Sequence, residues 1–145
     1  MAWAGKGPVV HQVKAGGPDA CIALGFEHPG CDANYSLVAN QYADGSVSGQ
    51  YTDRFANGDG FHAVVDCLSV SGNDAWISGV ITHGRIGDVD LAGLEVLTRV
   101  RDNGTSANDA PDQISFSFID TVLPDCTTQP DLPLLDTPQG QVMVS

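Results

Sequence analysis

Asp53, His62 and His83 are three side chains able to share a proton or a metal ion, and they fall at matching ends of consecutive alternating apolar runs. Two imidazoles and a carboxylate bind a divalent transition metal with coordination positions left open, and water held there becomes a nucleophile near neutral pH. Without metal, an imidazole polarised by a carboxylate serves as general base or acid, with the second imidazole as its partner. Chain direction brings Asp120 to the same end. His62, His83, Asp53 and Asp120 are therefore the catalytic candidates, and His62, His83 and Asp53 the ligands for one divalent metal ion, the cofactor this set admits. A cross-strand histidine pair bonded to a buried aspartate or to water explains the same residues without any reaction, since buried polar groups need partners whether or not they react.

A second set, Asp102, Asn103, Asp109 and Asp112, is dense in oxygen donors, as a calcium loop would be. It lacks EF-hand spacing, and Asx turns in a solvated loop account for it equally. The Asn57 to Gly60 loop reads the same way. His11 and His28 lie outside the alternating runs and read as surface or packing residues. Trp76, Tyr42 and Tyr51 either line a ligand pocket or fill a core. The sequence contains no G-x-S-x-G, P-loop, dinucleotide fingerprint or HExxH, which sets aside serine hydrolase, kinase and dehydrogenase readings.

The elements that must position these residues are strands. Residues 36–43 and 46–55 flank Asp44-Gly45, a type I′ turn signal, which predicts the pairs Tyr42 with Val47, Val38 with Tyr51 and Ser36 with Asp53. Residues 61–71 and 74–83 flank Gly72-Asn73 in the same way, predicting Val70 with Ala75, Leu68 with Ile77, Val64 with Ile81 and His62 with His83. Asp53 joins the histidines only if the loop ahead of Gly60 keeps Tyr51 and Asp53 on the face of His62 and Val64, because one residue of slip reverses the face. Further strands are expected over residues 9–14, 94–101, 113–120 and 140–144.

Seven or eight short strands predict an all-β fold, a single antiparallel meander closing into a small barrel, with a two-sheet sandwich as the alternative. Closure would remove exposed edges. The chain divides into an N-terminal strand and irregular Cys loop (1–35), the meander (36–122), and an extended tail with a last strand (123–145), all within one domain of 145 residues. Residues 61, 63, 65 and 67 are apolar opposite Val64, Leu68 and Val70, so the tail is expected to cover the outer face of that strand.

Six Lys and Arg against 18 acids, 16 of them Asp, give a net charge of -12. That charge repels polyphosphates and anionic headgroups, which argues against nucleic acid and membrane surfaces as partners. No apolar run is long enough to span a bilayer, and the N-terminus lacks the apolar core of a signal peptide. Four cysteines without CxxC spacing favour disulfides, Cys21–Cys31 across the Gly/Pro loop and Cys67–Cys126 from strand to tail, over four reduced thiols. Disulfides imply an oxidising compartment: secreted, cell-surface or periplasmic.

From residue 40 to residue 144, the segments ADGSVSGQ (43–50), FHAVVDCLSV (61–70), GNDAWISGV (72–80), RDNG (101–104), APDQIS (110–115) and PQGQ (138–141) resemble a family of uncharacterised secreted bacterial β-rich proteins. The resemblance implies export and a compact β-fold, and it brings no activity, substrate or cofactor. Residues 1–39 fall outside it. The leading functional expectation is an extracellular β-barrel module that binds a small or polymeric ligand at the barrel mouth near Asp53, His62 and His83. The alternatives are a small enzyme using the same residues, as a metal-dependent hydrolase or oxidase or a cavity-type isomerase or cyclase, and a structural or adhesive surface domain.

Overall fold

Alternation of apolar residues carries most of the chain into strands, and in the computed structural model, which describes residues 7–18, 34–54, 59–104, 108–137 and 140–145, they build one sheet. The strands are β1 (Val9–Pro18), β2 (Asn34–Tyr42), β3 (Val47–Arg54), β4 (Gly60–Ser71), β5 (Asp74–Ile86), β6 (Val89–Asp90), β7 (Glu95–Arg101), β8 (Gln113–Ile114), β9 (Phe118–Asp120), β10 (Leu135–Asp136) and β11 (Gln141–Val144). Every pairing is antiparallel, in the order β10-β8-β7-β5-β4-β3-β2-β1-β11, with β6 on β5 and β9 on β7. The expected all-β meander is present, and it curls into a half-barrel, with no second packed sheet among the described residues. Cys21, Cys31 and His28 lie outside the described residues.

The half-barrel encloses one principal core. Leu37 and Ala39 of β2, Tyr51 of β3, Phe61, Ala63 and Val65 of β4, Ile77 and Ile81 of β5, Val96 and Val100 of β7 and Val142 of β11 are all buried in it. Burying such side chains contributes about 1.5–3 kcal/mol each for the larger ones, which is what holds a sheet of short strands together.

The first hairpin departs from the expected register by one residue. Gln41 pairs with Val47, Leu37 with Tyr51 and Tyr35 with Asp53. The reason is the turn: Gly45 alone has positive φ, 87°, and Tyr42 N donates to Ser46 O at 2.9 Å, so the loop is three residues, Ala43-Asp44-Gly45, with glycine as the left-handed closing residue. Asp44 Oδ1 accepts from Ser46 N and Oγ and holds this shape. The second hairpin keeps its two-residue turn, with Gly72 at φ 60° and Ser71 opposite Asp74.

Between turn and site, the second hairpin carries two compensating irregularities. Val70–Ala75 and Leu68–Ile77 pair as expected, but the ladder shifts between Val65 and Cys67, so that Val64 meets Val80 and Ala63 meets Ile81. A second shift, at Thr82 on the partner strand, returns His62 to His83. Because Asp66 is an extra residue in β4, both Phe61-Ala63-Val65 and Leu68 face the core, which plain alternation forbids.

The tail covers the outer face at Cys67, as expected, but not at Phe61, Ala63 and Val65, which the extra residue in β4 turns into the core. Cys67–Cys126 forms a disulfide over 59 residues of chain, and a 3₁₀ turn, Cys126–Thr128, follows. Trp76, Leu97 and Cys126 make a second apolar cluster there with Cys67, Leu123 and Leu132. Trp76 Nε1 donates to Pro130 O at 2.7 Å, and the Arg99 guanidinium lies 5.0 Å above the indole. Trp76 and Tyr51 are thus packing residues; Tyr51 meets Phe61 edge to face at 5.3 Å and its hydroxyl bonds Ser117 Oγ at 2.6 Å. Among the described residues no helix is long and apolar enough to cross a membrane.

Candidate functional site

The outer face of β3, β4 and β5 carries Thr52, His62 and His83 abreast, since Thr52 is directly opposite His62 and His62 directly opposite His83. The two imidazoles stack, with centroids 5.3 Å apart and planes 17° from parallel. Thr52 Oγ1 is 2.8 Å from His62 Nδ1. Thr82 Oγ1 donates its one proton to His62 O at 3.1 Å, so its 3.2 Å bond with His83 Nδ1 requires that nitrogen to be the donor. The neutral His83 ring then presents a free lone pair at Nε2.

Around the pair lies a groove of about 420 Å³, lined besides the histidines and Thr52 by Arg54 at the end of β3, Arg85 on β5 and the carboxylate residues Asp53 and Asp59. Arg85 is 3.7 Å from Asp59 and its side chain is 70% exposed, so that pair leaves most of the guanidinium open. Asp59 Oδ2 also accepts from Gly87 N at 2.9 Å. Volumes of this order are typical of small-molecule sites.

Asp53 lines the same groove but from the opposite face of the sheet. It pairs with Tyr35 and Phe61 and is 8% exposed on the core side of the sheet, the consequence of the register that seats Tyr51 and Phe61 inside. The expected Asp53/His62/His83 triad is therefore split across the two faces, and the surviving pair stands on the outer face instead of in a barrel mouth. Asp120 is also apart. It pairs with Glu95, two strands beyond β5, and its Oδ1 accepts from Thr121 N at 2.6 Å.

The oxygen-rich loop of Asp102, Asn103, Asp109 and Asp112 has a different occupation. Asp112 Oδ2 accepts from Val142 N at 2.7 Å and Oδ1 from Asn103 N at 2.8 Å, while Asp102 accepts from Val144 N at 3.1 Å and Gly104 N at 2.9 Å. Asn103 Nδ2 donates to Pro111 O at 2.7 Å. Among the described residues Asp109 is not in a group of three candidate metal ligands with either aspartate. These carboxylates satisfy the outward N–H groups of β11, the edge a closed barrel would have paired with a strand.

The one such group among the described residues is Cys67, Asp125 and Cys126, with ligand atoms within 4.8 Å of one another. Its two sulfurs are joined in the disulfide, and Asp125 caps the 3₁₀ turn by accepting from Thr127 N and Oγ1, which holds its carboxyl below the usual range. Beside it, burial and the neighbouring Glu95 push the Asp66 carboxyl up.

Thr52, Arg54 and Arg85 were not among the candidates read from the sequence. The signal available was scarcity: of six strong bases in the chain, one ends the strand beside His62 and another follows His83 by two residues. Comparisons with family models, curated proteins and solved structures found no match for the chain.

Proposed function

We propose that this protein is a binding module whose ligand seats in the outer-face groove over His62 and His83. The observation that carries the reading is the stacked imidazole pair in a groove edged by Arg54 and Arg85, polar side chains that the core does not use. Catalysis by a carboxylate-polarised histidine has less support, because both Nδ1 atoms bond threonine hydroxyls and Asp53 faces the core. The Cys67–Cys126 disulfide supports an oxidising, extracellular setting, in keeping with the resemblance to secreted bacterial proteins.

The test is a screen of small molecules and oligosaccharides by ligand-observed NMR and thermal shift, against the natural chain and the His62→Ala/His83→Ala variant. Ligands that raise the Tm of the natural chain, and lose binding in a variant that melts within a few degrees of it, support the reading. A variant that melts far lower, with no ligand found for the natural chain, favours a purely structural pair.

A further inference from the structure

We infer that His62 and His83 together hold one divalent transition-metal ion of the zinc, copper(II) or nickel class, through their Nε2 atoms on the outer face of β4 and β5. This rests on the reading of the groove as a binding site and names its ligand class.

The first support is what the ladder does to place the pair. Ala63 pairs with Ile81, so an unbroken ladder would set His62 against Thr82 and turn His83 to the other face, opposite Phe61. The extra residue, Thr82, brings His83 opposite His62 instead. Bulges of this kind re-aim side chains, and they concentrate beside functional sites.

The second support is the aim of the rings. Thr52 Oγ1 stands 2.8 Å from His62 Nδ1 and Thr82 Oγ1 stands 3.2 Å from His83 Nδ1, and the hydrogen bonds of both rings among the described residues are made at Nδ1. An imidazole that ligates a metal through one nitrogen donates the N–H of the other to a nearby oxygen, which fixes its tautomer and direction. Both hydroxyls stand where those acceptors are needed. His83 already carries its proton on Nδ1, because Thr82 donates its own to His62 O.

Two nitrogens on one zinc ion, each at about 2.0–2.1 Å, lie roughly 3.3 Å apart at the tetrahedral angle. Facing rings with centroids 5.3 Å apart and planes 17° from parallel reach that spacing by tilting their Nε2 edges together, which turns side-chain torsions and leaves the ladder in place. Imidazole suits zinc, copper and nickel, whereas calcium and magnesium take oxygen ligands. Charge does not oppose a cation here. The groove sets Asp53 and Asp59 against Arg54 and Arg85, with Asp59 3.7 Å from Arg85, and the net charge of -12 draws cations to the molecule as a whole. Two protein ligands leave the remaining positions to water or to a donor atom of a second molecule, the open arrangement of a binding site and not the closed set of a structural one.

Zinc is the probe, added to the chelator-treated natural chain with its Cys67–Cys126 bridge intact, at about pH 7.5, where a free imidazole is mostly neutral. Saturation near one zinc per chain, with the His62 and His83 ring resonances moving together and affinity at least about tenfold weaker in His62→Gln and in His83→Gln, is expected. Calcium should move neither ring. Copper(II) on the natural chain gives a reading that does not depend on how the variants fold: its EPR spectrum should carry splitting from two imidazole nitrogens. Zinc that moves only the other histidines, or copper held by one imidazole or none, overturns the inference. If neither metal engages the pair but a small molecule or oligosaccharide does, the metal inference falls and the binding site stands; if none of them does, both fall.

Discussion

Thr52 stands directly across from His62, its hydroxyl 2.8 Å from Nδ1, on the face where the sequence reading sets Asp53. A hydroxyl orients an imidazole without supplying the negative charge that raises its basicity, so this contact sets the ring's direction more than its reactivity. Thr52→Val keeps the shape and removes the bond. The expected result is a changed tautomer balance at His62 with His83 unaltered, read from the imidazole ¹⁵N shifts, and a stability loss of no more than about 1 kcal/mol. An unchanged His62 spectrum would show that the hydroxyl does not hold the ring.

The edge of the half-barrel yields a second prediction. Asp112 accepts from Val142 N and Asn103 N, and its own carbonyl accepts from Thr137 N at 2.8 Å, so one 6% exposed residue ties β11, the β7–β8 loop and the end of β10 together. Asp112→Ala leaves two backbone donors without acceptors and is expected to cost about 2–4 kcal/mol. Native-state hydrogen exchange should show the Val142 amide losing protection before amides of β4 and β5. Added calcium should leave the melting of the natural chain unchanged; a calcium-dependent rise in Tm would mean the loop binds the ion after all.

What could be read from the sequence, and what could not, divides at the turns and bulges. Apolar alternation identified β2, β3, β4, β5 and β7, and His62–His83 emerged correctly paired, although only because the shift after Val65 is undone at Thr82. Asp44-Gly45 suits both a two-residue and a three-residue loop, and the difference of one residue decides whether Val38 or Leu37 faces Tyr51. Alternation across β4 failed at Asp66, since both parities are apolar there and nothing local marks the extra residue. With the face of residues 61–65 of β4 thereby reversed, alternation sets His62 on the side of Asp53, whereas it lies on the far side of the sheet. The Cys67–Cys126 bridge was legible because four cysteines without CxxC spacing favour disulfides and this pair ties a strand to the tail.

That bridge gives a third prediction. Cys67 and Cys126 close a loop of 59 residues and pin Leu123 and Leu132 over Trp76. Replacing both by Ser is expected to cost about 2–5 kcal/mol. Because Trp76 is 5% exposed under the tail, the loss should appear as a red shift of its fluorescence, with Trp3→Phe as the background in which one indole reports. Full retention of the blue-shifted emission after reduction would mean the apolar contacts hold the tail without the bridge.

Acid sensitivity is the last prediction, and two aspartates push it in opposite directions. Asp74 is 7% exposed and bonded to Arg101 at 2.6 and 2.9 Å and to Arg99 at 2.6 Å; the Arg101 bond first, then Arg99, holds its carboxyl below the usual range against the effect of burial. A depressed folded pKa means that stability is in full force above the unfolded value of about 3.9 and is lost as pH falls through the folded value. Asp66 is the reverse: its raised pKa favours the protonated folded state, so its contribution is lost as pH rises. Asp74→Asn should therefore lower the Tm at neutral pH and flatten the acid limb of the Tm profile, whereas Asp66→Asn should raise the Tm at neutral pH and change nothing near pH 3. Removing the carboxylate altogether, as in Asp74→Ala, takes the partner of Arg101 and one partner of Arg99, which keeps Asp131 Oδ1 at 3.1 Å and Leu132 O at 3.0 Å, and is expected to cost about 1–3 kcal/mol. Melting curves of the three variants between about pH 3 and pH 8 check the signs, and an Asp66→Asn chain less stable than the natural one at neutral pH would assign that carboxylate a stabilising contact instead.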